Sequence, residues 1–118
     1  MTGSPTQGAK TLLHPVKDLE TAKAVYTALL GISPQTDDPS YVGFETEGQH
    51  VGLVPGGGPQ GMTSPVAYWH VSDIVAKLAE VTAAGATVHE PPHDVGGGRL
   101  VATVTDPDGN VLGLLQDR

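Results

Sequence analysis

The sequence predicts an α+β fold made of two βαβββ modules. Residues 12–31, LLHPVKDLETAKAVYTALLG, have the pattern of a strand, a turn and a helix, and residues 67–85, AYWHVSDIVAKLAEVTAAG, repeat it with V-x-D at the same place. Sixteen Gly and ten Pro indicate many turns between short elements. We therefore expect a single domain of all 118 residues, with pseudo-repeat modules at 10–54 and 66–117 joined by a Gly/Pro-rich linker at 55–65. The alternative is an α/β chain that has two such units without internal duplication.

The first module begins with a strand in which Leu12, His14 and Val16 alternate with residues of the opposite face. Asp18 fits the N-cap of the helix that follows, and Gly31 fits its end. The helix carries an apolar stripe at a spacing of three or four residues, namely Leu19, Ala22, Val25, Tyr26, Leu29 and Leu30.

The rest of the first module is predicted to be extended. Residues 32–37 fit a short edge strand, and residues 41–45 and 49–54 alternate as the two arms of a hairpin. The pair Glu47-Gly48 fits the turn between those arms. The first module is therefore predicted to have the order βαβββ.

The second module repeats this order. A strand is expected at 66–70, a helix at 72–84, an extended segment at 86–94, and a final hairpin from 99–105 and 111–116. The sequence D-P-D-G supplies the turn of that hairpin. Gly85 is expected to end the second helix, as Gly31 ends the first. We expect the helices to cover one face of curved, mixed and mostly antiparallel sheets.

Composition excludes several classes of partner. The formal charge is −7, with only six Lys and Arg, which argues against binding to nucleic acid or to an anionic membrane. The chain has no cysteine, which excludes a disulfide and thiol chemistry. We find neither a secretory signal nor an apolar run of about 18 residues, so a soluble, cytoplasmic protein is expected.

The segments HPVKDLETAKAVYTALLG and TDPDGNVLGLLQ resemble the vicinal oxygen chelate superfamily, and the resemblance covers nearly all of the chain. This superfamily includes glyoxalase I, extradiol dioxygenases, fosfomycin-modifying enzymes and bleomycin-resistance proteins. The resemblance implies the glyoxalase/bleomycin resistance fold, in which paired modules curl their sheets into a cup that holds a small-molecule ligand. It also implies a homodimer whose ligand site is shared between chains.

The resemblance further implies four inward-facing metal ligands, usually His and Glu, one on each of four strands. The equivalent positions here are Thr11, Gly52, Val66 and Gly113. None of these residues is a competent ligand for a divalent ion, which needs carboxylate or imidazole donors. We therefore expect a metal-independent protein without a cofactor.

The five histidines offer few replacements for those ligands. Strand alternation places His50 on the inward face, as it does Tyr68 and His70, whereas His14 and Trp69 are expected to point to the helix layer. Two imidazoles alone do not make a site. We expect no inward Glu to complete one, because Glu45 and Glu47 lie at a hairpin end, where carboxylates are usually solvated. For each His, a polar or packing role is the alternative.

Two apparent motifs are set aside. His89-Glu90-Pro91-Pro92-His93 matches the zinc-protease pattern H-E-x-x-H, which requires a helix, but consecutive prolines exclude a helix interior. The glycine runs at 56–58 and 96–98 lack the G-K-[ST] of a phosphate-binding loop. We also find no Ser, His and Asp set whose spacing indicates a catalytic triad.

The predicted cup is mainly apolar, with a few polar groups. Its expected ligand-binding residues are Leu13, His50, Tyr68, His70, Arg99, Val101, Thr103 and Leu115. His70 is the candidate catalytic acid or base near neutral pH. Arg99 would pair with an anionic group, or alternatively is a solvated charge at a loop edge.

Two classes of function remain. The first is a binding protein that sequesters a small molecule, which requires a shaped cavity and no metal. The second is an enzyme of the glyoxalase, isomerase, lyase or dioxygenase type, either with a non-standard metal site or metal-free and using His70 or His50. The missing ligand quartet favours the first.

Overall fold

The computed structural model describes residues 5–57 and 62–117. Within them the chain forms two helices and eight strands in the order βαβββ–βαβββ, as predicted. The elements are β1 Ala9–Val16, α1 Leu19–Leu30, β2 Thr36–Asp38, β3 Tyr41–Thr46, β4 Gln49–Pro55, β5 Val66–His70, α2 Ile74–Ala83, β6 Thr87–Asp94, β7 Leu100–Thr105 and β8 Val111–Gln116. The α+β class with mixed sheets is thereby confirmed.

Contacts divide the chain into two compact units, which we call the N-terminal and the C-terminal unit. The N-terminal unit comprises the described residues of Thr11–Val66. The C-terminal unit comprises those of Ala67–Arg118 together with the segment that ends at Lys10. That segment is joined to β5 by backbone hydrogen bonds, because Gln7 N donates to His70 O at 2.8 Å.

In the N-terminal unit the strand order is β2-β3-β4-β1. The β2–β3 and β3–β4 pairs are antiparallel, whereas β1 and β4 are parallel. The β3–β4 hairpin turns through Glu47 and Gly48, which both have positive φ, 50° and 78°. A two-residue turn with this conformation sets the register, so that Thr46 pairs with Gln49 and Glu45 with His50.

In the C-terminal unit the order is β5-β8-β7-β6. β5 and β8 are parallel, and the other two pairs are antiparallel. The β6–β7 register shifts on both sides of Glu90. Pro91 and Pro92 follow it, and their missing N–H groups cannot take part in a regular ladder.

Both helices begin at an aspartate. The Asp18 carboxylate accepts a hydrogen bond from Thr21 N at 3.3 Å, and the Asp73 carboxylate accepts one from Ala76 N at 3.0 Å. Gly31 ends α1 in the left-handed conformation, with φ of 72°, as predicted. The prediction that Gly85 ends α2 is off by one residue, because the cap is Ala84 in a right-handed conformation.

Each helix packs on one face of its own sheet. α1 covers Val42, Phe44, Val51 and Leu53, and Tyr26 is among the residues that α1 contributes to this contact. In the C-terminal unit the corresponding cluster is Val71, Ile74, Ala102 and Leu114. Neighbouring residues on a strand point to opposite faces. Each sheet therefore has a second face without a helix of its own unit, which we call the helix-free face.

Two further predicted details differ from the structure. The edge strand expected at 32–37 is confined to Thr36–Asp38, because Ile32 packs against the core under α1 and Pro34 has no N–H to donate. Trp69, expected to be core, is 38% exposed. Residues 58–61 of the predicted linker lie outside the described residues. In the described part of the chain, no helix is long and apolar enough to cross a membrane.

Candidate functional site

The helix-free face of the N-terminal unit is built around Gly52. A Cβ added at Gly52 would overlap the hydroxyl of Tyr41 and lie 2.6 Å from Leu13 Cδ2. The Tyr41 ring therefore lies over the backbone of β4, in the space that a side chain at position 52 would need. Leu13, a predicted ligand-binding residue, is the register partner of Gly52 on the neighbouring strand β1.

The helix-free face of the C-terminal unit repeats this arrangement around Gly113. Tyr68 is the register partner of Gly113, and a Cβ added there would lie 2.5 Å from Tyr68 Cδ2 and 2.6 Å from Cγ. The Tyr68 side chain is only 3% exposed. Burial raises the pKa of its phenol, and the negative charge of Glu90 raises it further.

These two contacts bear on the metal site that the family resemblance implies. Of the four equivalent positions, Gly52 and Gly113 carry no donor atom, and tyrosine rings occupy the space beside them. Thr11 and Val66 are buried but offer only a hydroxyl and an alkyl group. Across residues 5–57 and 62–117, no three His, Cys, Asp or Glu side chains are grouped to hold a metal ion. The residues at these positions do not fit a metal.

His50 lies on the helix-free face of the N-terminal unit, between Tyr41 and Glu45. Its Nε2 is hydrogen-bonded to Tyr41 Oη, and its Nδ1 to Glu45 Oε2. The expectation that Glu45 is only a solvated carboxylate at a hairpin end is wrong, although Glu45 and His50 are not joined by a third metal-binding side chain among the described residues. The hairpin register places Glu45 directly opposite His50, on the same face of the sheet.

His14 and Tyr26 form a second imidazole–phenol pair, on the other face of the same sheet. Tyr26 Oη lies 3.3 Å from His14 Nδ1, and the ring centroids are 5.3 Å apart. Burial lowers the pKa of His14, because desolvation disfavours the imidazolium. His14 thus faces the helix, as alternation predicts.

The C-terminal unit brings His70 and Arg99 to a common partner, Asp117. Arg99 Nε donates to Asp117 Oδ1 at 2.7 Å, and His70 Nδ1 lies 3.8 Å from Asp117 Oδ2. Asp117 follows β8 directly, and no sequence signal singled it out. Its carboxylate pairs with the guanidinium of Arg99, and the two side chains are 40% and 50% exposed.

The two histidines of the H-E-x-x-H segment have separate partners in β6. His89 Nδ1 lies 3.0 Å from Thr103 Oγ1, whereas His93 Nδ1 is hydrogen-bonded to the carbonyl oxygen of Pro91 at 2.9 Å. The segment is a strand with two register shifts. A strand cannot present two residues four apart to one ion, as the sequence already indicated.

The predicted ligand-binding residues fall into two sets, one in each unit. Leu13 and His50 belong to the N-terminal unit, and the other six to the C-terminal unit. Tyr68, Val101, Thr103 and Leu115 are buried. Among the polar side chains on these faces, Glu45, His50, His70, Arg99 and Asp117 are partly exposed to water, as is the apolar Leu13.

A groove of about 490 Å³ lies elsewhere, on the α1 side of the N-terminal unit. Its cation, Lys23, is held by Asp37 at 3.1 Å and by Glu20 at 3.3 Å. The groove is lined by Glu20, Lys23, Ala24, Thr27, Ala28, Pro34 and Asp37, none of which belongs to the predicted ligand site.

Known structures share this architecture. A glyoxalase/bleomycin resistance protein/dioxygenase superfamily member from Vibrio splendidus 12B01 matches with a TM-score of 0.67 and 18% identity, over 91% of this chain and 97% of that one. Methylmalonyl-CoA epimerase from Mycobacterium tuberculosis matches with a TM-score of 0.71 and 14% identity, over 100% and 93%. The Mn(II)-bound glyoxalase from Novosphingobium aromaticivorans matches with a TM-score of 0.70 and 22% identity, over 96% of this chain and 40% of that one. At such identities the likeness shows the fold.

Comparison with curated proteins gives no match. A family model does match, over residues 9–114, which is most of the chain and includes both βαβββ halves. The chain therefore belongs to the Glyoxalase/Bleomycin resistance protein/Dioxygenase superfamily.

Proposed function

We propose that this protein binds a small organic molecule without the help of a metal ion. The observation that carries the proposal is the pair of glycine–tyrosine contacts, Tyr41 over Gly52 and Tyr68 over Gly113. At these two positions the resemblance implies metal ligands, and the chain instead has aromatic rings on donor-free backbone. Binding energy then has to come from apolar and hydrogen-bonding contacts, as is usual for small-molecule sites.

The chemistry of the accessible groups suggests the class of ligand. On the helix-free face of the C-terminal unit, water reaches the Arg99–Asp117 pair and His70, which lie beside buried Val101 and Leu115. A ligand with an aromatic or aliphatic body and a hydrogen-bonding group suits such a surface. Because Asp117 already pairs with Arg99, a free carboxylate or phosphate on the ligand would compete with it, whereas a neutral polar group would not.

A second candidate function, metal-free catalysis, is favoured by one observation. His50 is hydrogen-bonded on one side to a phenol and on the other to a carboxylate. A histidine oriented by a carboxylate is the usual form of a general base. Its consequences are developed in the next subsection.

Thermal melting separates metal-free binding from metal-dependent binding. Zn²⁺, Ni²⁺ or Mn²⁺ added at equimolar concentration is expected to leave Tm unchanged. In a panel of small aromatic and glycopeptide compounds, at least one class is expected to raise Tm, equally with and without EDTA. Ligand at about 100 times its Kd stabilises by roughly 2.7 kcal/mol, which shifts Tm by several degrees.

Two matched variants locate the ligand. Arg99→Ala is expected to reduce the ligand-induced rise in Tm. Lys23→Ala, which removes another carboxylate-paired cation on the α1 side, is expected to leave it unchanged. A stoichiometric metal that purifies with the protein, together with loss of ligand binding in EDTA, would overturn the proposal.

The resemblance to the superfamily also supports a homodimer in the cytoplasm as the working state of the protein. Sedimentation equilibrium tests the dimer, since it measures the mass of the particle directly. A monomer at every accessible concentration contradicts this part of the proposal and leaves metal-free binding standing.

A further inference from the structure

Three polar side chains form one continuous hydrogen-bonded chain on the helix-free face of the N-terminal unit. Glu45 Oε2 is bonded to His50 Nδ1, and His50 Nε2 to Tyr41 Oη. Glu45 and His50 are cross-strand partners, and Tyr41 lies four residues before Glu45 on β3, so all three share a face. The Glu45 side chain is 48% exposed and that of His50 is 20% exposed, so the chain runs from solvent into the sheet surface.

Two glycines make room for this chain. Gly43 and Gly52 are register partners, at the point where the His50 imidazole approaches β3. A Cβ at Gly43 would lie 2.9 Å from His50 Cε1 and 3.0 Å from Tyr41 Cε2. A Cβ at Gly52 would overlap the Tyr41 hydroxyl. The two glycines thus leave space, free of side chains, for the hydrogen-bonded Glu45, His50 and Tyr41.

The chemistry of the groups fixes the direction of the hydrogen bonds. An ionised carboxylate only accepts, so His50 Nδ1 must carry the proton that binds Glu45. When the imidazole is neutral, its Nε2 is an acceptor, and the Tyr41 hydroxyl donates to it. This is the arrangement of a hydroxyl, a base and an orienting carboxylate that activates hydroxyl groups in enzymes.

We propose that Tyr41, His50 and Glu45 form a proton-transfer site, with Tyr41 and His50 as the catalytic residues and Glu45 as the positioning residue. A proton leaves the acidic C–H or O–H bond of a ligand and adds to Tyr41 Oη, while the proton of Tyr41 passes to His50 Nε2. The electron pair of the broken bond stays on the ligand. The imidazolium formed is stabilised by the Glu45 carboxylate and later returns its proton to the product or to water.

Charge indicates the class of substrate. The Glu45 carboxylate gives the resting site one negative charge, in a chain of formal charge −7. An anionic substrate is therefore disfavoured, and a neutral carbon or oxygen acid next to an electron-withdrawing group is favoured. This inference shares Tyr41 with the binding function proposed above, but its test reads a reaction rate and not the Arg99-dependent rise in Tm, so the two can fail separately.

The His14–Tyr26 pair is an internal control. It has the same two residue types in the same unit, on the face that packs against α1. Among the described residues no carboxylate is hydrogen-bonded to His14, and burial lowers its pKa. Loss of the Tyr26 hydroxyl should therefore not affect proton transfer.

Nitrobenzisoxazole is a suitable neutral probe, since removal of its acidic C–H proton breaks the N–O bond and releases a coloured cyano-nitrophenolate. The whole protein is expected to accelerate this reaction over buffer. Tyr41→Phe and His50→Gln are each expected to lower kcat/KM by about 100-fold or more, the usual contribution of a general base. Tyr26→Phe is expected to retain the full rate.

Glu45→Gln tests the positioning role. The neutral Gln amide can either accept from Nδ1 or donate to it, so it no longer fixes the tautomer of His50, and it no longer stabilises the imidazolium with a negative charge. We expect a lower kcat with little change in KM, and a changed pH profile of kcat. A merely structural role would reduce the amount of folded protein and leave the pH profile of the remainder unchanged.

Imidazole ¹⁵N spectra of the unmodified protein test the inference without any variant. The proton of His50 is expected on Nδ1. The proposal is overturned by the opposite tautomer, by absence of any rate above buffer, or by a Tyr26→Phe variant as impaired as Tyr41→Phe. If Tyr41→Phe fails to fold, the His50 tautomer and the nitrobenzisoxazole rate of the unmodified protein still test the proposal. Failure of this site leaves the Arg99-dependent rise in Tm intact, so the two proposals are separately testable.

Discussion

Tyr41 and Tyr68 both fill the space beside a glycine, but their phenol groups have different surroundings for proton transfer. Each ring lies over a glycine at a position where the family resemblance implies a metal ligand. The Tyr41 hydroxyl is hydrogen-bonded to His50, which is in turn bonded to a carboxylate. Tyr68 is buried, and burial with the charge of Glu90 raises its pKa. One unit thus gives its phenol a base, whereas the other makes its phenol harder to ionise.

The two contacts also differ in which part of the tyrosine meets the glycine. Gly113 lies against the body of the Tyr68 ring, at Cγ, Cδ2 and Cε2. Gly52 lies against the hydroxyl end of Tyr41 and the end of the Leu13 side chain. The end of a side chain can swing aside by rotation, whereas the base of a buried ring moves only with its strand. The same substitution should therefore have different consequences in the two units.

The largest expected effect is that of Gly113→Ala. The new methyl group would enter the Tyr68 ring in a buried region, and overpacking of this kind costs about 1–3 kcal/mol of unfolding free energy. Urea denaturation measures the loss. In a double-mutant cycle, Tyr68→Leu should recover part of it, because the smaller side chain makes room for the methyl group. Additive losses would show that the Tyr68 contact is not its cause.

Gly52→Ala is expected to be milder for stability and severe for the proposed proton-transfer site. Tyr41 and Leu13 can rotate away, and the hydrogen bond lost between Tyr41 and His50 is worth about 0.5–1.5 kcal/mol. The Tyr41 hydroxyl would then no longer reach His50, so the nitrobenzisoxazole rate should fall towards that of Tyr41→Phe. Equal destabilisation by Gly52→Ala and Gly113→Ala would contradict the distinction between the two contacts.

The sequence was sufficient to predict which face of a strand each histidine occupies. Alternation placed His14 towards the helix and His50 on the opposite face, and the Tyr26 and Tyr41 hydrogen bonds agree. The sequence also shows that Gly52 and Gly113, which align with metal ligands of the family, carry no donor atom, because this follows from the residue types alone. Periodicity is a local property, which is why these predictions could be made from the sequence alone.

The partners of His50 were missed for an identifiable reason. The position of Glu45 near a hairpin end predicts a carboxylate in solvent. A two-residue Glu47-Gly48 turn, however, makes Glu45 the direct partner of His50, and this signal was available in the sequence. The position of Asp117 could not be found in this way. It follows the last residue of β8, and its contact with Arg99 depends on side-chain rotamers that no periodicity specifies.

The smallest expected effect concerns the ionisation of Tyr68. In a Tyr26→Phe/Tyr41→Phe variant it is the remaining one of three tyrosines, so absorbance of its phenolate reports its pKa directly. That pKa should lie above the ordinary value of about 10, chiefly through burial and secondarily through Glu90. Glu90→Gln removes the nearby negative charge, so it should lower the pKa of Tyr68, but by less than the increase that burial causes. Burial of the ring is unchanged in that variant.

The same shift has a defined effect on stability. Between the ordinary pKa and the raised pKa of Tyr68, the unfolded chain has lost the phenolic proton and the folded chain keeps it. The unfolded state then binds fewer protons, so the contribution of Tyr68 to stability is complete below about pH 10 and falls as the pH rises above it. Urea midpoints measured on both sides of that pH, with Tyr68→Phe as the reference, isolate this slope. A slope shared by the Tyr68→Phe reference would assign the effect to other groups and would remove the ionisation of Tyr68 from the comparison with Tyr41.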